Sequence, residues 1–362
     1  MTRWTLVLGC IALGQVSGLA AMQPDPAIAA LVGPIRDRYG LPAMGGAIVD
    51  SSGLRAAAVA GVRKRGEASE ATVDDLWHIG SDTKAMTATM LAVLVEQGTL
   101  SWDSAIGGVF PQLLLPPAVK GITLLQLLTH RAGVPANADW SAISHAGSLV
   151  QQRRAAVGRL DAAKLLSAPG TAFSYSNWGY VVAGAMAEQA TGKSYEELMR
   201  ATVFVPLQMR SAGYGAAGTR GGLDQPWAHT AKGEPRQSDN PLVMAPAGCV
   251  HCSLEDWGKF VADQLRGTEG KPALLKPSSY ARLHSPPDGG NYALGWLALD
   301  RPWGGGHVYT HTGSNTMNMA VVWMAPSRDF AVLVVCNQGD ADKACDEVAS
   351  GLIALHAGGT GR

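Results

Sequence analysis

Charge and aromatic side chains are scarce in this chain. Only 16% of its 362 residues are Asp, Glu, Lys or Arg, and 6% are Phe, Trp or Tyr. The 29 basic and 29 acidic residues cancel, and no run of Lys or Arg longer than the three of Arg63-Lys64-Arg65 occurs. The electrostatic footprint of a nucleic-acid or anionic-membrane binder is therefore missing. There is no H-E-x-x-H, and no second C-x-x-C accompanies Cys249-Val250-His251-Cys252, so no complete zinc set is spelled out. G-x-S-x-G is also absent, which removes the nucleophile turn of the α/β-hydrolases. What is present is 47% apolar residues with 44 Gly and 20 Pro. That is the composition of a well-cored globular chain with long, defined loops, large enough for one large or two ordinary domains.

The first residues read as a secretory signal. Arg3 supplies the positive start, Trp4 to Leu19 is an uncharged, mostly apolar run, and Gly18-Leu19-Ala20 offers small residues for cleavage near Ala20. A transmembrane anchor fits less well, because Gly9, Gly14, Gln15, Ser17 and Gly18 interrupt a run already short for a span. A lipoprotein acylated on Cys10 is the third reading, and too little apolar chain precedes that cysteine. Export, to a periplasm or the medium, is the expectation. It leaves Cys249, Cys252, Cys336 and Cys345 in an oxidising compartment, as disulfides or as buried thiols, with the pairing open.

Strand-like segments lie at both ends of the chain. Residues 27–39 read as a helix with Ile28, Leu31, Val32 and Ile35 on one side. Residues 47–60 read as a hairpin turning at Asp50-Ser51-Ser52-Gly53. Helical spacing follows from Trp77, with Met86, Met90, Leu91 and Leu94 behind Ser81, and further helical stretches at 124–128, 161–167 and 180–191. Residues 210–240 read as a long loop or lobe, and Ser253 to Asp256 as a helix start of the capping-box kind. Strands are expected at 292–299, 308–312, 319–324 and 330–336, then a helix over 340–356. The expected fold is an α/β (α+β) arrangement: an antiparallel sheet built from both chain ends, flanked by helices, with an inserted helical lobe. The expected domains are a signal at 1–20, a sheet domain of 22–76 with 291–362, and a mostly helical domain at 77–290. A cleft between sheet and lobe is the natural ligand site.

Three short stretches carry chemistry. Ser81-Asp82-Thr83-Lys84 heads an apolar helix, and Ser81 is the only serine with a lysine three residues on. That spacing puts both side chains on one face. A serine hydroxyl needs a base, and a desolvated lysine can become one. Tyr175-Ser176-Asn177 offers a phenol for proton relay and an amide for a substrate carbonyl or N–H. His311-Thr312-Gly313 ends an alternating strand, where glycine allows a substrate backbone to lie alongside. His311 could orient Tyr175 or carry positive charge at low pH.

These residues, in this order, resemble the serine β-lactamase and penicillin-recognising DD-peptidase family. The similarity is to the branch of class C β-lactamases, D-alanyl-D-alanine carboxypeptidases and family VIII esterases. Leu127-Leu128-Thr129-His130, Gly133-Val134-Pro135 and Ala245-Pro246-Ala247-Gly248 extend it over roughly residues 25–355. The resemblance implies Ser81 as acylated nucleophile and Lys84 with Tyr175 sharing base and acid work, in an order left open. It implies Asn177, His311, Thr312 and Gly313 as substrate-binding residues, and the backbone N–H groups of Ser81 and Ser314 as the oxyanion hole. One departure is visible: His311 stands where class C β-lactamases carry lysine, which removes a permanent charge and weighs against efficient β-lactam hydrolysis.

The leading expectation is an exported serine hydrolase. D-amino-acid peptides and related amides rank slightly above carboxylic esters as substrates, and both rank above β-lactams. The alternative is a penicillin-binding sensor that is acylated without turnover. No cofactor, metal or nucleic acid is expected, only a small-molecule or peptide substrate, with no integral membrane segment after signal removal.

Overall fold

The computed structural model describes residues 23–143 and 147–359. The proposed signal and Cys10 lie outside them. Six strands form one antiparallel sheet: β1 (Ala43–Asp50), β2 (Gly53–Gly61), β3 (Leu297–Arg301), β4 (Gly306–Ser314), β5 (Met319–Ala325) and β6 (Phe330–Cys336). Their order across the sheet is β2-β1-β6-β5-β4-β3, so the N-terminal hairpin joins the C-terminal strands through the β1–β6 pair.

Both faces of the sheet's centre are covered, which is why β1, β5 and β6 are apolar almost throughout. On β6, Ala331, Leu333 and Val335 face the main core, while Phe330, Val332 and Val334 face the other side. That second side is closed by α1 (Pro26–Tyr39), which donates Ile28, Val32 and Ile35, and by the C-terminal helix 342–359, which donates Val348 and Leu352. α1 continues past Pro34 without interruption. The main core continues from the sheet into α2 (Thr83–Glu96), α3 (Asn177–Thr191) and α4 (Leu254–Thr268).

Several expected elements differ in extent. The strand expected over 292–299 begins only at Leu297. Gly295 has φ +84°, and a Cβ there would stand 2.5 Å from the backbone nitrogen of Ala85, so the chain turns against α2 instead of extending. The helix expected over 161–167 is a single 3-10 turn, Ala162–Lys164, and the one expected from 180 starts at Asn177. Ser253 caps α4 by accepting from Asp256 N. The Asp256 carboxylate does not return that bond; it accepts from the N–H and hydroxyl of Ser211, each at 2.6 Å. Residues 210–240 are mostly loop with three two-residue strands.

The four cysteines among the described residues, Cys249, Cys252, Cys336 and Cys345, are buried free thiols. Burial pushes each thiol upward, to about 12 for Cys336, so none has thiolate character at neutral pH. Among the described residues no helix is long and apolar enough to cross a membrane.

The sheet places one strand end against the start of α2. Gly80 has φ +51°, and a Cβ on it would stand 2.3 Å from Ser314 N. A Cβ on Gly313 would stand 1.9 Å from the carbonyl oxygen of Ile79 and 2.9 Å from Ser81 N. Two backbones meet here with no room for side chains. Pairing of β3 with β4 stops at Leu297 and Thr310, so residues 311–314 have no strand partner on that edge.

Gly313→Ala is expected to push these backbones apart and to cost about 1–3 kcal/mol or more. A thermal melt checks it, and an unchanged midpoint contradicts the close approach. A thiol count in denaturant without reductant is expected to find Cys249, Cys252, Cys336 and Cys345 all reactive. A shortfall of two would reveal a disulfide.

Candidate active site

Ser81 lies in the 3-10 turn Gly80–Asp82, which runs directly into α2. Lys84 sits in the first turn of that helix and is fully buried. Its Nζ has three oxygen neighbours: Ser81 Oγ at 2.9 Å, Asn177 Oδ1 at 2.8 Å and the Ala247 carbonyl at 2.7 Å. Two of these are carbonyl oxygens, which only accept. They take two N–H bonds and leave the third position on nitrogen facing Ser81. In the ammonium that position is a proton; in the neutral amine it is a lone pair aimed at the serine hydroxyl. Burial lowers the Lys84 pKa to about 7, against a partial counterpull from Asp82.

Tyr175 precedes the N-cap of α3. Ser176 accepts from Gly179 N at 2.9 Å and donates to the Pro135 carbonyl at 2.7 Å, which fixes the chain entering the helix. Tyr175 lies beside Ser81, which draws its phenol down against the larger rise from burial, and its ring centroid lies 4.8 Å from Lys84 Nζ. Burial raises the phenol well above its ordinary pKa, so it stays protonated. Asn177, the first residue of α3, uses both ends of its amide: Oδ1 holds Lys84 and Nδ2 donates to Asn137 Oδ1 at 3.1 Å. The amide expected to meet substrate is thus also the one that orients Lys84.

His311 differs most from its expectation. It is 5% exposed, and its Nε2 pairs with the Tyr292 hydroxyl at 3.1 Å, not with Tyr175. Burial, aided by Lys84, lowers it to about 3, so it holds no charge at ordinary pH. Its Nδ1 stands 3.3 Å from Asp82 Oδ1 outside hydrogen-bond geometry, and neither Asp82 oxygen has another partner. Asp82 is fully desolvated, which raises its pKa far above the carboxylate range. Thr312 and Ser314 are exposed on β4, whereas Gly313 is buried against the Gly80–Asp82 turn.

Several contributing residues carry no motif of their own. His130 (φ +57°) accepts from Ser176 N at 3.0 Å, and its ring lies 4.3 Å from that of Tyr175 and 4.6 Å from that of Tyr292. Burial keeps it neutral. The Ala247 carbonyl holds Lys84 through backbone alone. Both lie in segments quoted above as flanks, Leu127 to His130 and Ala245 to Gly248, and that placement was their only signal. Phe173, half exposed, packs 5.7 Å from Tyr292 at the rim.

The chain is similar to known proteins in sequence and in fold. The sequence profile of the Beta-lactamase family matches residues 28–355. The chain is 26% identical over 349 residues to the unguisins hydrolase ungD' of Aspergillus campestris, covering 86% of this chain and 61% of that protein. It spans about half the length of other curated relatives that it matches. The class C beta-lactamase of Rhodobacter sphaeroides superposes with a TM-score of 0.74 at 19% identity, covering 92% of this chain and 100% of the other. The D-alanine carboxypeptidase AmpC of Burkholderia cenocepacia gives a TM-score of 0.72 at 21% identity, covering 89% and 97%. With the profile match over nearly its whole length and the shared antiparallel-sheet fold, the chain belongs to the beta-lactamase family of serine hydrolases.

Proposed function

We propose that the protein is an exported serine hydrolase that opens an amide or ester bond through an acyl-enzyme on Ser81. One observation carries the reading: Lys84 Nζ, fully buried, is held by Asn177 Oδ1 and the Ala247 carbonyl with its remaining position toward Ser81 Oγ. Export is supported by the pattern of residues 1–20, and periplasm or medium is the proposed location.

Neutral Lys84 accepts the Ser81 proton as Oγ attacks the substrate carbonyl. The protonated phenol of Tyr175, beside Ser81, then delivers a proton to the leaving nitrogen or oxygen and recovers one from Lys84. The opposite pKa directions support this order: burial favours the neutral amine and the neutral phenol, so the amine is the base and the phenol the acid. The N–H groups of Ser81 and Ser314 stabilise the carbonyl oxygen as it gains charge, a contribution on the order of a hundredfold or more per donor. The unpaired edge of residues 311–314 receives an extended substrate, with the exposed Thr312 hydroxyl beside it. Water then repeats the sequence in reverse on the ester of Ser81.

Buried, uncharged His311 offers no permanent cation for a substrate carboxylate. This supports D-amino-acid peptides, related amides and carboxylic esters over β-lactams. The similarity to an unguisins hydrolase and to a D-alanine carboxypeptidase supports hydrolysis of this general kind.

A fluorophosphonate or a penicillin is expected to add once, on Ser81, by mass spectrometry, and Ser81→Ala is expected to lose both the adduct and about a thousandfold or more of the rate. Equal labelling of the variant contradicts the mechanism, and stoichiometric acylation without turnover of p-nitrophenyl acetate, nitrocefin or a D-Ala-D-Ala peptide favours the sensor. The pH profile has a defined sign. The amine must be neutral, so kcat/KM for p-nitrophenyl acetate is expected to fall below a midpoint near 7, about tenfold per pH unit. His130 and His311 are neutral there and add no second limb. A profile flat from pH 5 to 9 contradicts Lys84 as the base.

A further inference from the structure

The turn that carries Ser81 is braced by side chains outside all three motifs. Gly80 N–H points at His78 Nδ1, 3.1 Å away. A backbone N–H can only donate, so Nδ1 is the acceptor and the ring proton resides on Nε2. Nε2 faces Asp239 Oδ2 at 2.9 Å and therefore donates to that carboxylate. The other oxygen, Asp239 Oδ1, accepts from Asn315 Nδ2 at 2.8 Å and from Asn240 N at 2.7 Å. Asn315 is itself locked, because its Oδ1 accepts from Met317 N, Asn318 N and Asn318 Nδ2. The brace is buried: His78 is 8% exposed, Asn315 4%, and the Asp239 side chain 5%.

One carboxylate thus links the residue two before Gly80 to the residue directly after Ser314. Between these anchors lie the two backbones that meet through Gly80 and Gly313. That contact has no side chains of its own to hold it. The carboxylate comes from a third place, the long loop over 210–240.

We propose that Asp239, through His78 and Asn315, is a positioning residue that sets the spacing of the Ser81 and Ser314 N–H groups. The inference rests on the acyl-enzyme reading above, in which those groups meet the carbonyl oxygen. Charge-assisted bonds from a shared, buried carboxylate are stronger and shorter than neutral ones, which suits a brace that must not yield. Oxyanion stabilisation is strict in distance, and displacement by an ångström can cost a hundredfold.

Three variants and one control test it. Asp239→Asn keeps the shape, but its amide nitrogen cannot accept, so one of the two links becomes a clash of donors. His78→Asn retains an acceptor, Oδ1, in the place of Nδ1 while giving up the Asp239 link. His78→Leu loses both. For each, the acylation rate constant and half-saturation concentration with p-nitrophenyl acetate are measured in single turnovers, beside the melting temperature and the fraction of sites labelled by fluorophosphonate. Asp239→Asn is expected to lower the acylation constant about ten- to a hundredfold, with half-saturation within about twofold and full final labelling. His78→Asn is expected to recover part of the activity that His78→Leu loses. An Asp239→Asn constant within twofold of the parent overturns the inference. So does a loss that only follows melting temperature and labelled fraction, with His78→Asn no better than His78→Leu. If Asp239→Asn does not fold, the comparison of the two His78 variants decides. Labelling of Ser81→Ala would defeat the acyl-enzyme reading itself, independently of the brace.

Discussion

A single amine removed from water organises this molecule. Lys84 is fully buried between two carbonyl oxygens and a hydroxyl, and the cost of charging it there brings its pKa to about 7. Desolvation does this because it outweighs the counterpull of the neighbouring Asp82. The adjacent Asp82 is buried as well and is driven toward its neutral form. His130 and His311 are held neutral by the same dry surroundings. The aromatic rings of Tyr175 and Tyr180, 4.8 and 5.4 Å from Nζ, complete the enclosure.

The rest of the fold serves to deliver partners to that amine. Ser81 comes from the turn before α2, Asn177 from the first residue of α3, and the Ala247 carbonyl from the short helix Ala245–Gly248. The β4 strand brings Gly313 and Ser314 against the same turn. None of these contacts is local in sequence beyond the Ser81–Lys84 pair. Each depends on the main core, which runs unbroken from the sheet into the helices.

The residues that the fold gathers around Lys84 were legible because their types and spacings are rare in the chain: one serine with lysine at the third position, one tyrosine with asparagine at the second. The sheet was legible in the apolar runs of β5 and β6, whose burial on both faces leaves little polar alternation. Other features were hidden for physical reasons. The role of Ala247 is a backbone carbonyl, which no side-chain pattern records. The delayed start of β3 follows from Gly295 pressing on α2, a tertiary contact. The neutrality of His311 follows from burial, aided by Lys84, and a histidine in an alternating strand does not announce that. The brace through Asp239 lies in a loop whose composition carries no periodic signal at all.

The central claim is a property of one nitrogen, so its direct test is titration of that nitrogen. The 13Cε resonance of Lys84, assigned by its loss in Lys84→Met, can be followed by NMR across pH 5 to 11. A midpoint near 7, well separated from the other lysines, is the predicted result. A Lys84 resonance that titrates with them near the ordinary lysine value of about 10.4 would contradict the account.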